Sequence, residues 1–165
     1  MTVVSHFMLP VIAAGCLELR AVRRSGRPLF GRRGLALVGL CGILPDLLTP
    51  HLSLSARYTS WSHTLWFLAA VLLLGMALAR LLEPRRRAVV WMCVIAVFLH
   101  LLCDTVSGGV NLLPGLCRPL GGYYFPARYW LWLDLASLVA AYLICLRIRR
   151  ALAKVSLLEE PAEPV

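Results

Sequence analysis

Long apolar runs are what most restrict this chain. Gly34 to Pro50, Ser62 to Leu82, Ala88 to Val106 and Arg128 to Ile148 each approach the roughly 20 residues, with about 17 as a lower limit, that a helix needs to cross a bilayer. A fifth run, Val3 to Leu19, is weaker because it holds His6, Pro10 and Glu18. Met1 to Ser5 carries no positive side chain, so this run reads as a retained first helix and not as a secretory signal. Hydrophobic residues make up 60% of the 165, charged ones 15%, and mean hydropathy is +0.78. An ordinary soluble domain carries about 25% charged residues. A soluble enzyme and a disordered chain are both excluded on these grounds. The expectation is an all-α fold, a polytopic membrane helical bundle of four to five transmembrane helices. It forms one integral membrane domain over 1–156, with spans near 3–19, 34–50, 62–82, 88–106 and 128–148. A disordered acidic tail, 157–165, follows.

The 17 Lys and Arg against 8 Asp and Glu give a net charge of +9. In a soluble chain this would suggest nucleic acid. Here fourteen of the basic residues lie after the first span, between the third and fourth, or after the fifth. Arg57, Arg118 and Arg128 alone fall on the other side. The positive-inside rule then predicts an N-terminus outside and a C-terminus in the cytoplasm. Membrane lipids with anionic headgroups are sufficient partners for the basic segments, and no nucleic acid is needed. Cys16, Cys41, Cys93, Cys103, Cys117 and Cys145 form no CxxC pair, which points away from a zinc ribbon or a redox couple. Trp61, Tyr123, Tyr124, Tyr129 and Trp130 read as an outer aromatic belt.

Ionisable side chains inside apolar spans are costly and are functional candidates by default. His6, Asp46, His51, His63, His100, Asp104 and Asp134 all fall at the outer level of this topology. His100 and Asp104 are four apart and share one helix face. Imidazole and carboxylate together suit Zn²⁺, with Mn²⁺ and Fe admissible. His63 and Asp46, from two other spans, would complete a shell of three or four ligands, and His6 would be a further ligand or stand just behind them. A catalytic metal leaves one position open for water and lowers its pKa towards ~7. Asp134 is then the candidate base, or it orients a histidine. For any one of these residues, wetting by headgroups or helix capping is a sufficient explanation. The one-sided set is what favours a site. His51 lies in a loop and is read as incidental.

Three segments resemble the family of predicted LexA-regulated, membrane-bound metal-dependent hydrolases, the YdjM-like family. Gly42 to Asp46 is similar to its leucine-proline-aspartate element. Ser62-His63-Thr64 is similar to its threonine-histidine-serine element. His100 to Asp104, followed by Thr105 to Pro114, is similar to its histidine, three residues, aspartate signature with a glycine turn and a Leu-Leu-Pro segment. An early histidine matching His6 is also usual. Leu48, Thr49 and Tyr58 stand where the family usually has Asp, His and His. The resemblance therefore implies a divergent member. If the missing groups bind a second metal, this chain holds one ion. The implied activity is hydrolysis at an outward-facing His/Asp site in a bacterial inner membrane.

The position of the cluster, level with headgroups, leads to an ester or phosphoester of a lipid or lipid-linked substrate. Arg57, Arg118 and Arg128 are the outer cations available to a phosphate. Two non-enzymatic readings compete: a metal-ion or proton carrier, and a partner-binding protein with a vestigial site. A carrier needs polar groups through the whole bilayer, and the inner halves of these spans carry almost none besides Glu18 and Glu83. The segment Thr105 to Ala127 is expected to dip back into the membrane or to lid the site.

Overall fold

The computed structural model describes residues 3–50, 54–121 and 126–159. Its helices are α1 (Val3–Ser25), α2 (Gly31–Gly42), α3 (Leu44–Leu48), α4 (Leu65–Leu81), α5 (Pro84–Val106) and α6 (Trp130–Glu159), with short 3-10 turns at Leu54–Thr59, Trp61–His63 and Ala127–Tyr129. Helices α1, α5 and most of α6 are long and apolar enough to cross a membrane, and α4 is a shorter apolar helix. At 1.5 Å per residue, the 23 residues of α1 or α5 reach about 35 Å, enough for a hydrocarbon core of about 30 Å. His51, Gly122, Tyr123, Tyr124 and residues 160–165 lie outside the described residues.

Two boundaries differ from the sequence reading. The run 34–50 is not one helix. It breaks at Ile43 into α2 and α3, because Pro45 in the first turn of α3 has no N–H to give to the preceding turn. At the other end, α6 continues past Ile148 to Glu159, into the start of the segment expected to be disordered. Arg147, Arg149, Arg150, Ala151, Ala153 and Lys154 are good helix formers, so the helix outlasts the apolar run.

Helix α1 packs on α6, α2 and α5, while α4 packs on α5. Its buried stripe, Ser5/His6, Pro10, Ala14, Glu18 and Val22, recurs at the four-residue spacing of one helix face. Ala14, Phe30, Val38, Met92 and Ala96 form the apolar centre between α1, α2 and α5. Gly39 and Gly42 let α2 approach α1 closely. A Cβ at Gly39 would run into the Phe7 ring, and one at Gly42 into the His6 carbonyl and the Pro10 ring. Pro10 also withholds the N–H that would otherwise bond to that carbonyl. Glu18 ties the two helices at their other end, where its carboxylate accepts from the N–H of Leu29 (2.6 Å), Phe30 (2.7 Å) and Gly31 (2.9 Å) at the start of α2. These are donors that a helix N-terminus leaves unpaired.

Polarity is inverted relative to a soluble protein. His6, Glu18, Arg57, His63, His100 and Asp104 are buried, while Leu73, Leu131, Trp132, Trp66 and Tyr142 are exposed. This distribution suits hydrocarbon as the surrounding medium. The start of α1 meets the end of α5 through His6 and Asp104, and Arg85 at the start of α5 bonds Leu29 O beyond the end of α1. The Arg-rich segments therefore gather at one end of the bundle and the buried His and Asp side chains at the other. Beyond α5, residues 107–110 turn inward and are buried, held by the antiparallel bridge of Val110 with Leu120 and by Leu65 N–H donating to Leu112 O at 2.9 Å. The outer half of that loop, Gly115 to Leu120, is exposed.

Candidate metal centre

Asp46 from α3, His63 from the turn before α4, and His100 and Asp104 from the last turns of α5 converge on one point. The Nε2 atoms of His63 and His100 are 3.2 Å apart. Asp46 Oδ1 lies 3.2 Å from the first and 3.6 Å from the second. Asp104 Oδ2 lies 3.4 Å and 3.3 Å from the same two atoms. Ligands at about 2.0–2.2 Å from a zinc ion, placed at the corners of a tetrahedron, stand roughly 3.3–3.6 Å apart. Five of the six pairs are at or close to that spacing, and all four ligand atoms lie within 4.8 Å of one another. The side chains of His63, His100 and Asp104 are fully buried, whereas that of Asp46 is 15% exposed, so the centre meets its surroundings at Asp46.

The backbone breaks are what aim the two imidazoles. The Gly42 carbonyl, at the end of α2, accepts the Nδ1 proton of His100 at 2.7 Å. A carbonyl only accepts, so in the neutral imidazole His100 Nε2 is the atom left to bind a cation. His63 Nδ1 faces Ser60 Oγ at 2.8 Å and Ser62 Oγ at 3.2 Å. Ser62 Oγ donates to Pro45 O at 2.7 Å, which leaves its own lone pairs to accept from His63. Thr49 Oγ1 lies 2.5 Å from both serine hydroxyls. With both imidazoles neutral, two ring lone pairs and two carboxylates face one another, an arrangement that a shared cation stabilises. Ser62→Ala should lower the affinity for a divalent cation by about 10- to 100-fold with the fold intact, as removal of a histidine's outer partner does. Competitive chelator titration would measure it, and an unchanged affinity would show that Ser60 alone orients the ring.

Asp104 uses its two oxygens differently. Oδ2 faces the His63/His100 pair, while Oδ1 meets His6 Nε2 at 3.0 Å and Arg57 Nη1 at 2.8 Å. His6, a candidate ligand from the sequence, therefore stands on the far oxygen of Asp104. Its ring lies 4.1 Å from that of His100, centre to centre. Asp104 Oδ2, buried and facing the two Nε2 atoms, has no well-formed hydrogen bond among the described residues, which fits a cation at that point.

Arg57 is the residue that sequence reasoning placed differently. It was expected as an outer cation, and it is 3% exposed inside the cluster. The available signal was its isolation as the one Lys or Arg between Arg33 and Arg80, flanked by the segments that supply Asp46 and His63. Asp134 stands on α6, where Ser5 Oγ donates to its Oδ1, and it is not among the four convergent groups. Of the positions where the resemblance expects other residues, Thr49 joins the hydroxyls behind His63, Leu48 is exposed, and Tyr58 donates to Gly108 O at 2.7 Å. Tyr58 thereby ties the inward-turning loop to the segment that carries Arg57.

The chain matches the family model described as YdjM inner membrane protein over residues 1–158. No curated protein and no solved structure matches it.

Proposed function

The chain belongs to the YdjM inner membrane protein family, and from that premise and the site geometry we propose that it is a membrane-embedded, metal-dependent hydrolase. His63, His100, Asp46 and Asp104 hold one divalent cation, with Zn²⁺ the best fit to two nitrogens and two oxygens. The observation that carries this reading is the set of 3.2–3.6 Å separations among four side chains from three segments. Such a cation would supply Lewis acidity, and it would activate a water only at a fifth position or where Asp46, the partly exposed group, gives way. His6 and Arg57 fix the carboxylate of Asp104 from behind, and Gly42 O and the Ser60/Ser62 hydroxyls fix the two imidazoles. Asp134 acts through Ser5, the neighbour of His6, as a positioning residue or a proton acceptor.

The substrate class is an ester or phosphoester of a lipid or lipid-linked molecule. Two features support it. The cluster lies at a helix-end level of the bundle, and a cavity of about 500 Å³ lined by Tyr58, Trp61, Trp66, Phe67 and Pro114 begins beside Ser60 and Thr64, which flank the His63 segment. The Arg distribution orients the site outward, with the N-terminus outside and the C-terminus in the cytoplasm. Transport is disfavoured because Glu18, the buried carboxylate towards the basic end, is engaged by three backbone N–H groups.

The test is elemental analysis of the purified protein followed by turnover on a panel of phospholipids and polyprenyl phosphates. Stoichiometric metal and a product lost in His100→Ala are expected. Bound metal without turnover on any member would leave a metal-binding protein and end the enzyme reading.

A further inference from the structure

At the opposite end of the bundle, a cavity of about 510 Å³ opens between α1 and α6, lined by Val22, Arg23, Arg147, Arg150, Lys154 and Val155 among others. Four of these side chains are cations, and among the described residues no acidic side chain lines the cavity. Arg147, Arg150 and Lys154 follow one another at i+3 and i+4, so they share one face of α6, and Arg23 at the end of α1 looks onto the same space. Like charges at this spacing repel and weaken a helix. The positive-inside rule asks only that cations lie on one side of the membrane. It does not ask that they converge on a single concavity. Arg149, in the same segment, lines a different cavity together with Glu18 and Arg32.

Depth decides what could neutralise them. A hydrocarbon core of about 30 Å takes up about 20 residues of helix. Counted from Trp130 on α6, and from Val3 on α1, it ends close to Arg149 and Arg23 respectively. Both helices therefore bring the cavity to headgroup level. Of its aliphatic lining, Val22 stands at the edge of the hydrocarbon, and Ala151 and Val155 lie beyond that edge among the cations.

We propose that this cavity between α1 and α6 is a binding site for the phosphate headgroup of an anionic phospholipid, held by Arg23, Arg147, Arg150 and Lys154. Basic pockets between membrane helices recognise such headgroups through charge-assisted hydrogen bonds. The site is separate from the His/Asp centre and does not depend on its being an enzyme.

The experiment is thermal unfolding of the detergent-purified full chain with added cardiolipin, phosphatidylglycerol, phosphatidylcholine or inorganic phosphate, alongside mass spectrometry of copurified lipid. The two anionic lipids should raise Tm, and phosphatidylcholine and millimolar inorganic phosphate should not. The triple variant R147Q/R150Q/K154Q should bind the anionic lipids at least tenfold more weakly and copurify with less of them. R24Q/R27Q/R33Q removes the same charge from exposed positions outside the cavity and should behave as the parent. Equal loss in both triple variants would reduce the effect to general surface charge and overturn the proposal. So would a response to phosphate equal to that of the lipids. A lipid response that appears only once residues 160–165 are removed would overturn it too, in favour of the acidic tail as occupant.

Discussion

Asp104→Ala protein is expected to leave purification with less than about a tenth of the parent's divalent metal and with a clearly lower unfolding temperature. Both effects follow from the division of labour between its oxygens. Oδ2 is one of four convergent ligand atoms, and Oδ1 is the acid that meets His6 and buried Arg57. Alanine removes a ligand and also leaves a guanidinium buried without that charge. Breaking a buried pair in this way costs about 3–5 kcal/mol. Asp104→Asn separates the two effects, since it keeps the side-chain shape and can still accept from Arg57 while offering a much poorer metal ligand. Elemental analysis and thermal unfolding in detergent read the two quantities independently. Full metal content in both variants would remove Asp104 from the coordination set.

The second large effect is expected at Arg57. The cluster holds two carboxylates, Asp46 and Asp104, and one guanidinium, Arg57, which meets Asp104, so with neutral imidazoles the metal-free centre is short of positive charge and the metal-loaded centre is not. Arg57→Gln should therefore destabilise the metal-stripped protein by several kcal/mol, in line with the cost of an uncompensated buried charge. It should destabilise the metal-loaded protein much less. A cation at 100 times its Kd already stabilises a folded state by about 2.7 kcal/mol. The gap in Tm between loaded and chelator-treated samples should widen in the variant. If the gap is unchanged, Arg57 is not the counter-ion that holds the empty centre together.

Much of this was legible in the sequence, and the reasons are specific. The apolar runs marked the membrane helices because hydrocarbon leaves a spanning backbone few other options. His100 and Asp104 could be paired from their spacing alone, because α5 is continuous through both. Asp46 and His63 needed more than spacing. Their approach depends on the break at Ile43 and on a 3-10 turn before α4, and neither has a periodic signature. The place of Arg57 was illegible for a related reason. Its segment was expected to be a loop outside the membrane, and it folds inward onto Asp104. Asp134 was placed near the cluster by its level in the membrane alone, and its bond from Ser5, the neighbour of His6, has no signature in the spacing.

The Glu18 clasp and the His/Asp centre secure opposite ends of the same helices, yet they become available at different moments of synthesis. Glu18 and the N–H groups it engages are near neighbours in the chain, so the α1–α2 corner can close as soon as that hairpin is made. The other end waits for α5. At about 5–20 residues per second, roughly 2–8 s separate the emergence of His63 from that of Asp104. In that interval His6, Asp46 and His63 have no Asp104 and no His100 to meet. The hairpin corner is thus a hinge set early, and the last turns of α5 are the latch that closes the opposite end.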